Sequence, residues 1–206
     1  MPTPRRIRTV RFRPFDTPTP IVEPMSLMKD TPTIVGDHLV LRPVVATDAE
    51  DMWQDIDDPE AIRLTGTHAS FTFEQIERYA ASRVEQDDRW DLAVTERDGG
   101  QYLGEVVLMD WDEDNRSCGF RIALSGHARD RGVGTQATRM LLDHAFANLP
   151  VHRVSLEVFS FNERAAAVYE KVGFRREGVL RDALWWDDQP YDAIVMSVLR
   201  SDWPTK

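Results

Sequence analysis

Cysteine is almost absent from the chain, which contains a single one, Cys118. One cysteine excludes an internal disulfide bond and suits a reducing compartment. No apolar run approaches the roughly 18 residues that a membrane-spanning helix needs. Arginines occur near the N-terminus, but the apolar core of a secretory signal does not follow them. The sequence therefore predicts a cytoplasmic protein that does not act in a membrane.

Basic residues are also in the minority, with 25 Lys and Arg against 35 Asp and Glu and a net charge of −10. Residues 1–30 carry six basic and three acidic side chains, a net of +3, which leaves −13 for the remainder. An acidic body repels phosphates, which argues against nucleic acid as a partner. The same acidity suits a cationic substrate such as an amine, and it serves solubility equally well.

Regular periodicity is missing from the first 31 residues, which hold six prolines. We predict a flexible or extended N-terminal arm over residues 1–32. The remaining residues, 33–206, are enough for one domain with a sizeable core, and apolar residues make up 42% of the chain. The sequence therefore predicts a single folded domain after the arm.

Helical and strand-like periods alternate along this domain. Capping boxes at residues 47–50 and 72–75, with Thr47 and Thr72 as N-caps, predict helices that reach about Ile56 and about Val84. Two later helices are predicted over residues 132–148 and 162–172. Strands are predicted over residues 90–95, 102–109, 119–124, 153–159, 178–186 and 191–199.

The most informative segment of the chain is residues 128–135, at the start of the third predicted helix. Its glycines leave backbone amides open to an anion, and the helix N-terminus adds a positive dipole. Its two arginines add full charges. The segment predicts a pyrophosphate site formed by Arg129, Arg131, Gly132, Val133, Gly134 and Thr135.

A dinucleotide fingerprint is a rival interpretation, because Gly132, Gly134 and Ala137 also fit G-x-G-x-x-G/A. That fingerprint follows a strand through a tight turn, whereas residues 125–131 separate this strand from the first glycine. Only about seventy residues follow, too few for a two-half nucleotide-binding sheet. On this segment alone, two glycines in a loop before a helix remain an alternative.

Two motifs together resemble a known family. Arg129, Gly132 and Gly134 fit Gln/Arg-x-x-Gly-x-Gly/Ala, the acyl-CoA signature of the GNAT superfamily of N-acetyltransferases. The run from Asn162 through Ala165 and Tyr169 to residues 173–174 is similar to its second signature, Asn-x-x-Ala-x-x-x-Tyr-x-x-x-Gly-Phe. Residues 38–43 followed by Asp48 resemble its first strand and helix. The likeness covers residues 33–203 and is strongest to the ribosomal-protein N-terminal acetyltransferase branch.

This resemblance implies an α/β fold with a mixed central sheet flanked by helices. It implies acetyl-CoA as a co-substrate, no metal, and direct transfer of an acetyl group to a primary amine. The acceptor would be a small-molecule amine or a protein N-terminus, and the resemblance leaves room for a homodimer. The alternative is a non-catalytic module on the same fold that binds acyl-CoA or a partner.

The resemblance also implies roles for single residues. Tyr169 matches the tyrosine that protonates the leaving thiolate, although a buried core aromatic fits the position equally well. Asn162 matches a contact to the coenzyme arm, and it also reads as a helix N-cap. The strand edge at Ile122, Ala123 and Leu124 can pair with the peptide-like amides of pantetheine.

Two carboxylates compete for the role of general base. Glu157 lies twelve residues before Tyr169, a placement that resembles the catalytic glutamate of some ribosomal-protein acetyltransferases. Glu105 lies inside an apolar strand, where desolvation would raise its pKa. Either one could instead pair with Arg121 or Arg153. The acceptor-binding loops are expected at residues 57–71 and 185–188. The second range contains two tryptophans followed by two aspartates. These residues could bind a cation, or they could be ordinary strand packing followed by a polar turn.

Overall fold

A computed structural model of the protein describes residues 28–204. The predicted arm over residues 1–32 therefore lies outside the described residues, except for its last five positions. Met28 is fully buried in the main hydrophobic core.

The described residues form eight strands and five α-helices. The strands are β1 (Ile34–Val35), β2 (Leu39–Pro43), β3 (Trp90–Glu96), β4 (Tyr102–Asp112), β5 (Ser117–Leu124), β6 (Arg153–Phe159), β7 (Arg175–Trp186) and β8 (Gln189–Leu199). The helices are α1 (Ala49–Gln54), α2 (Pro59–Thr65), α3 (Phe73–Ser82), α4 (Val133–Asn148) and α5 (Glu163–Val172).

All eight strands belong to one sheet, in the order β1-β2-β3-β4-β5-β6-β8-β7. Neighbouring strands are antiparallel except β5 and β6, which run parallel. Because successive side chains on a strand point to opposite faces, the sheet builds a core on each side. On β3, Leu92 and Val94 enter the core beneath α4 and α5, whereas Ala93 enters the core beneath α1 and α3. The predicted mixed sheet flanked by helices is confirmed.

The parallel pair β5 and β6 opens a gap in the sheet. Its register covers only residues 117–119 of β5 and residues 153–155 of β6. On its other side, β5 stays paired with β4 as far as Leu124. The half of β5 from Phe120 to Leu124 therefore turns an unpaired backbone edge toward β6, and this gap positions the site.

The two predicted capping boxes had different outcomes. Thr72 and Gln75 form theirs: the Thr72 amide donates to Gln75 Oε1 at 2.7 Å, and the Gln75 amide donates to Thr72 Oγ1 at 3.4 Å. The box at Thr47 is wrong, because the carboxylate of Asp48 accepts from the Val45 amide at 2.9 Å and starts a 3-10 turn before α1. α1 ends at Gln54, two residues earlier than predicted.

Helix α2 was not predicted; residues 57–71 were expected to be loop. Asp58 is its N-cap and accepts from the Glu60 amide at 2.9 Å, while Pro59 occupies the first helical position. Gly66 ends the helix with a φ of +64°. These residues are standard signals for the start and the end of a helix. Because the helix has only seven residues, its hydrophobic pattern is too short to reveal it in the sequence.

Candidate active site

A cavity of about 600 Å³ lies in the gap between β5 and β6 and is closed by parts of α2, α4 and α5. Ten of the thirteen residues that the sequence proposed for the site line it. They are Ile122, Ala123, Leu124, Arg129, Gly132, Gly134, Thr135, Glu157, Asn162 and Tyr169. Residues from three distant parts of the sequence therefore meet in one place.

The other three proposed residues do not line the cavity. The side chain of Arg131 pairs with Glu96 at 3.0 Å, and that of Val133 is buried in the main core. Their backbone amides still belong to the loop that starts α4. Glu105 lies beneath α3, 3.8 Å from Arg121, which does line the cavity.

Two glycines shape the backbone at the start of α4. Gly132 is the residue before the helix and has a φ of +79°, a conformation that residues with side chains rarely adopt. At Gly134 a Cβ atom would lie 3.4 Å from Leu124 Cδ1 and 3.9 Å from Ile122 Cδ1, two residues of the cavity wall. A side chain at either position would thus change the mouth of the cavity.

Helix α5 contributes the residues of the second motif. The side chain of Asn162 caps the helix by accepting from the Ala165 amide at 3.1 Å, so the expected N-cap is confirmed. Tyr169 is buried, with its ring 6.1 Å from that of Phe120 and 5.8 Å from that of Phe174. Burial raises the pKa of Tyr169 to about 12, which keeps its hydroxyl protonated at neutral pH.

Glu157 and Tyr169 line the cavity from opposite faces of the sheet. The register sets Gly119 beside Ser155, so Glu157 on β6 shares a face with Arg121 on β5. That face also carries Glu105, which stands opposite Ala123. Tyr169 instead packs on Phe120, which points to the face covered by α4 and α5. The cavity therefore passes through the sheet.

Glu105 belongs to a buried polar cluster under α3. It accepts a hydrogen bond from the Tyr79 hydroxyl at 2.8 Å, and Arg121 lies 3.8 Å away. Burial raises the pKa of Glu105 to about 7; nearby Asp91 adds to the rise and Arg121 opposes it. Asp91 is itself held by Arg89 at 2.6 Å. The sequence left open whether Glu105 or Glu157 pairs with Arg121 or Arg153; of these pairings, Glu105 with Arg121 forms.

Arg153 does not pair with Glu157 but binds Glu177 and donates to the Ser197 hydroxyl at 3.0 Å. The side chain of Glu157 is exposed at the cavity wall. Its carboxylate is therefore accessible from the cavity.

Sequence reasoning missed the contribution of α2. Ala61, Leu64 and Thr65 line the cavity, in the range expected to hold an acceptor loop. The tryptophan and aspartate segment does not line it: Trp185 is exposed, and the ring of Trp186 lies 5.1 Å from that of His68. The sequence signal for α2 was the pair Asp58 and Pro59, which is typical of a helix N-terminus.

Two kinds of feature are absent from residues 28–204. No helix there is long and apolar enough to cross a membrane. In the same span, no group of three His, Cys, Asp or Glu side chains is arranged to hold a metal ion.

Comparison with known proteins agrees with this geometry. A family model described as an acetyltransferase (GNAT) domain matches residues 38–175. The chain is 26% identical over 167 residues to the SPbeta prophage-derived uncharacterized N-acetyltransferase YokL of Bacillus subtilis, covering 81% of this chain and 93% of YokL. It is 31% identical over 104 residues to the protein named "Putative ribosomal N-acetyltransferase YdaF" of the same organism, covering 50% and 57% of the two chains.

Among solved structures, the fold is similar to that of a spermidine N-acetyltransferase from Vibrio cholerae, which was crystallised with CoA and spermine. The TM-score is 0.75, the sequence identity is 21%, and the match covers 81% of this chain and 98% of the other. At this identity the likeness concerns the fold.

Proposed function

The chain belongs to the GNAT family and is an N-acetyltransferase, and we propose that it moves an acetyl group from acetyl-CoA to a primary amine by direct attack. The observation that carries the proposal is the single cavity that joins the glycine-containing start of α4 to Glu157 and Tyr169. An acyl carrier and an amine can thus meet at the gap between β5 and β6.

The coenzyme end of the cavity is proposed at the start of α4. The backbone amides of residues 131–135 hold the pyrophosphate, helped by the dipole of this 16-residue helix. The free edge of β5 at Ile122, Ala123 and Leu124 pairs with the amides of the pantetheine arm. Asn162, which lines the same cavity, contacts that arm from α5.

The transfer step uses groups from both faces of the sheet. Glu157 takes a proton from the substrate ammonium group, the neutral nitrogen then bonds to the thioester carbonyl carbon, and the nitrogen releases its second proton to water. As the carbon–sulfur bond breaks, the Tyr169 hydroxyl gives its proton to the thiolate. Glu157 then loses its proton to water and Tyr169 regains one from water, so the enzyme returns to its starting state.

Glu105 is the second candidate for the base. Its raised pKa suits proton transfer near neutral pH. Glu105 does not line the cavity itself, whereas Arg121, which lies within 4 Å of its carboxylate, does. We place Glu157 first, because it lines the cavity directly.

The acceptor is proposed to be a small-molecule amine or a protein N-terminus. The Vibrio cholerae neighbour is a spermidine N-acetyltransferase, and the name of the Bacillus relative points to ribosomal proteins. Both kinds of acceptor present an amine, which has to lose a proton before attack. We further propose that the protein works without a metal and that nucleic acid is not its partner.

The test is a screen of acceptors with acetyl-CoA, in which the free thiol of released CoA is measured. Polyamines, aminoglycosides, other small amines and peptides with free N-termini form the panel. Turnover of any amine supports the proposal and reveals the substrate class. Tight binding of acetyl-CoA by calorimetry, with no turnover across the panel, would favour a non-catalytic acyl-CoA-binding module.

A further inference from the structure

The carboxylate of Glu60, in the first turn of α2, bridges two arginines at the mouth of the cavity. Its Oε2 accepts from Arg129 at 2.8 Å, and its Oε1 accepts from Arg164 at 2.9 Å. Asp130 also accepts from Arg164, at 3.0 Å. Glu60 is thus held by one guanidinium group from the loop before α4 and one from the first turn of α5.

Both arginines are part of the cavity wall, and so are Gly132 and Gly134. A guanidinium group binds a phosphate with the same planar pair of N–H donors that binds a carboxylate. The diphosphate of a coenzyme and the carboxylate of Glu60 would therefore use the same donors. Two groups that share donors cannot both bind them fully.

The two arginines differ in how firmly they are held. The side chain of Arg129 is only 10% exposed; it also pairs with Asp58 and donates through Nε to the Leu124 carbonyl at 3.2 Å. The side chain of Arg164 is 43% exposed, and its partners Glu60 and Asp130 are 54% and 70% exposed. Ion pairs between groups as exposed as these contribute little to stability. Arg164 is therefore the donor that can change partner.

We propose that Arg164 binds the diphosphate of the coenzyme and that Glu60 competes for it, so that Glu60 speeds the release of CoA after transfer. This inference rests on the proposed function, because it assumes that the cavity binds CoA. Glu60 needs no large movement to act, since α2 already lines the cavity through Ala61, Leu64 and Thr65. As a departing diphosphate loosens, the carboxylate takes up the vacated N–H groups and lowers the barrier to release.

The two ways in which Glu60 can weaken CoA binding give different kinetics. A negative charge at the rim of a site acts mainly by slowing association, and salt screens the effect. A group that competes for a donor inside the site acts on dissociation. The dissociation rate of CoA therefore separates competition for Arg164 from general repulsion.

The experiment measures CoA association and dissociation by stopped-flow, with calorimetry for the equilibrium, in wild type, Glu60→Gln, Arg164→Gln and the double variant. We expect Glu60→Gln to slow CoA dissociation about fivefold with a nearly unchanged association rate, the effect of about 1 kcal/mol. Arg164→Gln should speed dissociation. In the double variant Glu60→Gln should have almost no further effect, because the contested donor is gone.

Glu163→Gln is the matched control. Glu163 is an exposed carboxylate next to Arg164 in the chain and does not line this cavity. It should leave dissociation unchanged. An equal effect of Glu163→Gln, or an effect of Glu60→Gln confined to association and abolished by salt, would show repulsion and overturn the proposal.

Two further outcomes are separable. If wild type does not bind CoA, the proposed function fails. If wild type binds CoA and Glu60→Gln leaves dissociation unchanged, only the role of Glu60 fails. Thermal unfolding of each variant verifies the fold, which these exposed positions are expected to preserve.

Discussion

Gly104 on β4 lies so close to Ala123 on β5 that a Cβ atom at residue 104 would stand 2.2 Å from the Ala123 carbonyl oxygen. Gly104 also has a φ of +139°, which side chains disfavour. Since Ala123 lines the cavity, this contact fixes the edge of β5 that we propose to bind the coenzyme arm.

Gly104→Ala should therefore destabilise the fold. The clash and the backbone strain together predict a loss of about 3 kcal/mol in the free energy of unfolding, measured by urea denaturation. Gly178→Ala is the control: its Cβ would meet no atom within 4 Å, so it should change stability by less than about 0.5 kcal/mol. Equal stability of both variants would show that β4 and β5 can shift apart easily.

Gly134→Asp should abolish binding of acetyl-CoA. The new side chain points between Ile122 and Leu124, and its charge repels the coenzyme phosphates. Gly134→Ala, whose Cβ makes ordinary contacts there, should keep most of the affinity. Calorimetry measures both, and circular dichroism verifies the fold. Wild-type affinity of the aspartate variant would place the coenzyme elsewhere.

Tyr169→Phe should lower kcat about 100-fold and leave the KM for acetyl-CoA nearly unchanged. The phenyl ring keeps its contacts with Phe120 and Phe174, and only the proton donor is lost. Tyr102→Phe, a buried tyrosine outside the cavity lining, should keep wild-type kcat. Steady-state kinetics with the amine that is turned over fastest measure kcat and the KM for acetyl-CoA. An unchanged kcat would show that Tyr169 serves only in packing.

Glu157→Gln should slow the reaction at neutral pH about 100-fold, because the proton acceptor is removed and the shape is kept. The rate should recover in part at high pH, where more of the amine is already neutral. Rates across the pH range test this, with Glu105→Gln alongside. If Glu105→Gln is the slow variant and Glu157→Gln is active, the base lies on β4.

Glu105 also makes stability depend on pH. Because its pKa is raised in the folded state, the folded protein holds a proton that the unfolded chain releases, and stability falls as pH rises from about 4.5 to about 7. Glu105→Gln cannot lose that proton. Relative to wild type, its free energy of unfolding should rise by about 3 kcal/mol across this window and then level off. Urea denaturation at several pH values measures the difference, and a constant difference would contradict the shift.

Most of the fold could be predicted from the sequence, because the longer helices and strands have strong local signals. Strand β6 was predicted with its observed bounds, and α4 and α5 were placed to within one residue. Their glycine and asparagine ends mark where each helix starts. Ten proposed residues meet in the cavity because β5, β6, the start of α4 and the helix α5 border the same gap.

The features that the sequence could not reveal depend on contacts between residues that are far apart in the chain. Thr47 and Glu50 match a capping box, but Arg42 binds the Asp48 carboxylate at 2.8 Å, and that group starts the turn instead. Glu60 looks like any acidic residue in a first helical turn. Its position between Arg129 and Arg164 brings together residues 69 and 104 positions away, which only the folded chain shows.

The unpaired half of β5 has a consequence for association between chains. An exposed strand edge is a template on which other polypeptides can add strands and aggregate. Here the edge from Phe120 to Leu124 faces inward, and its neighbours β6, α2 and α5 leave a slot rather than an open border. We propose that the narrow arm of the coenzyme, with its peptide-like amides, occupies this slot. The backbone edge that we propose for the coenzyme is thus also one that the fold shields from self-association.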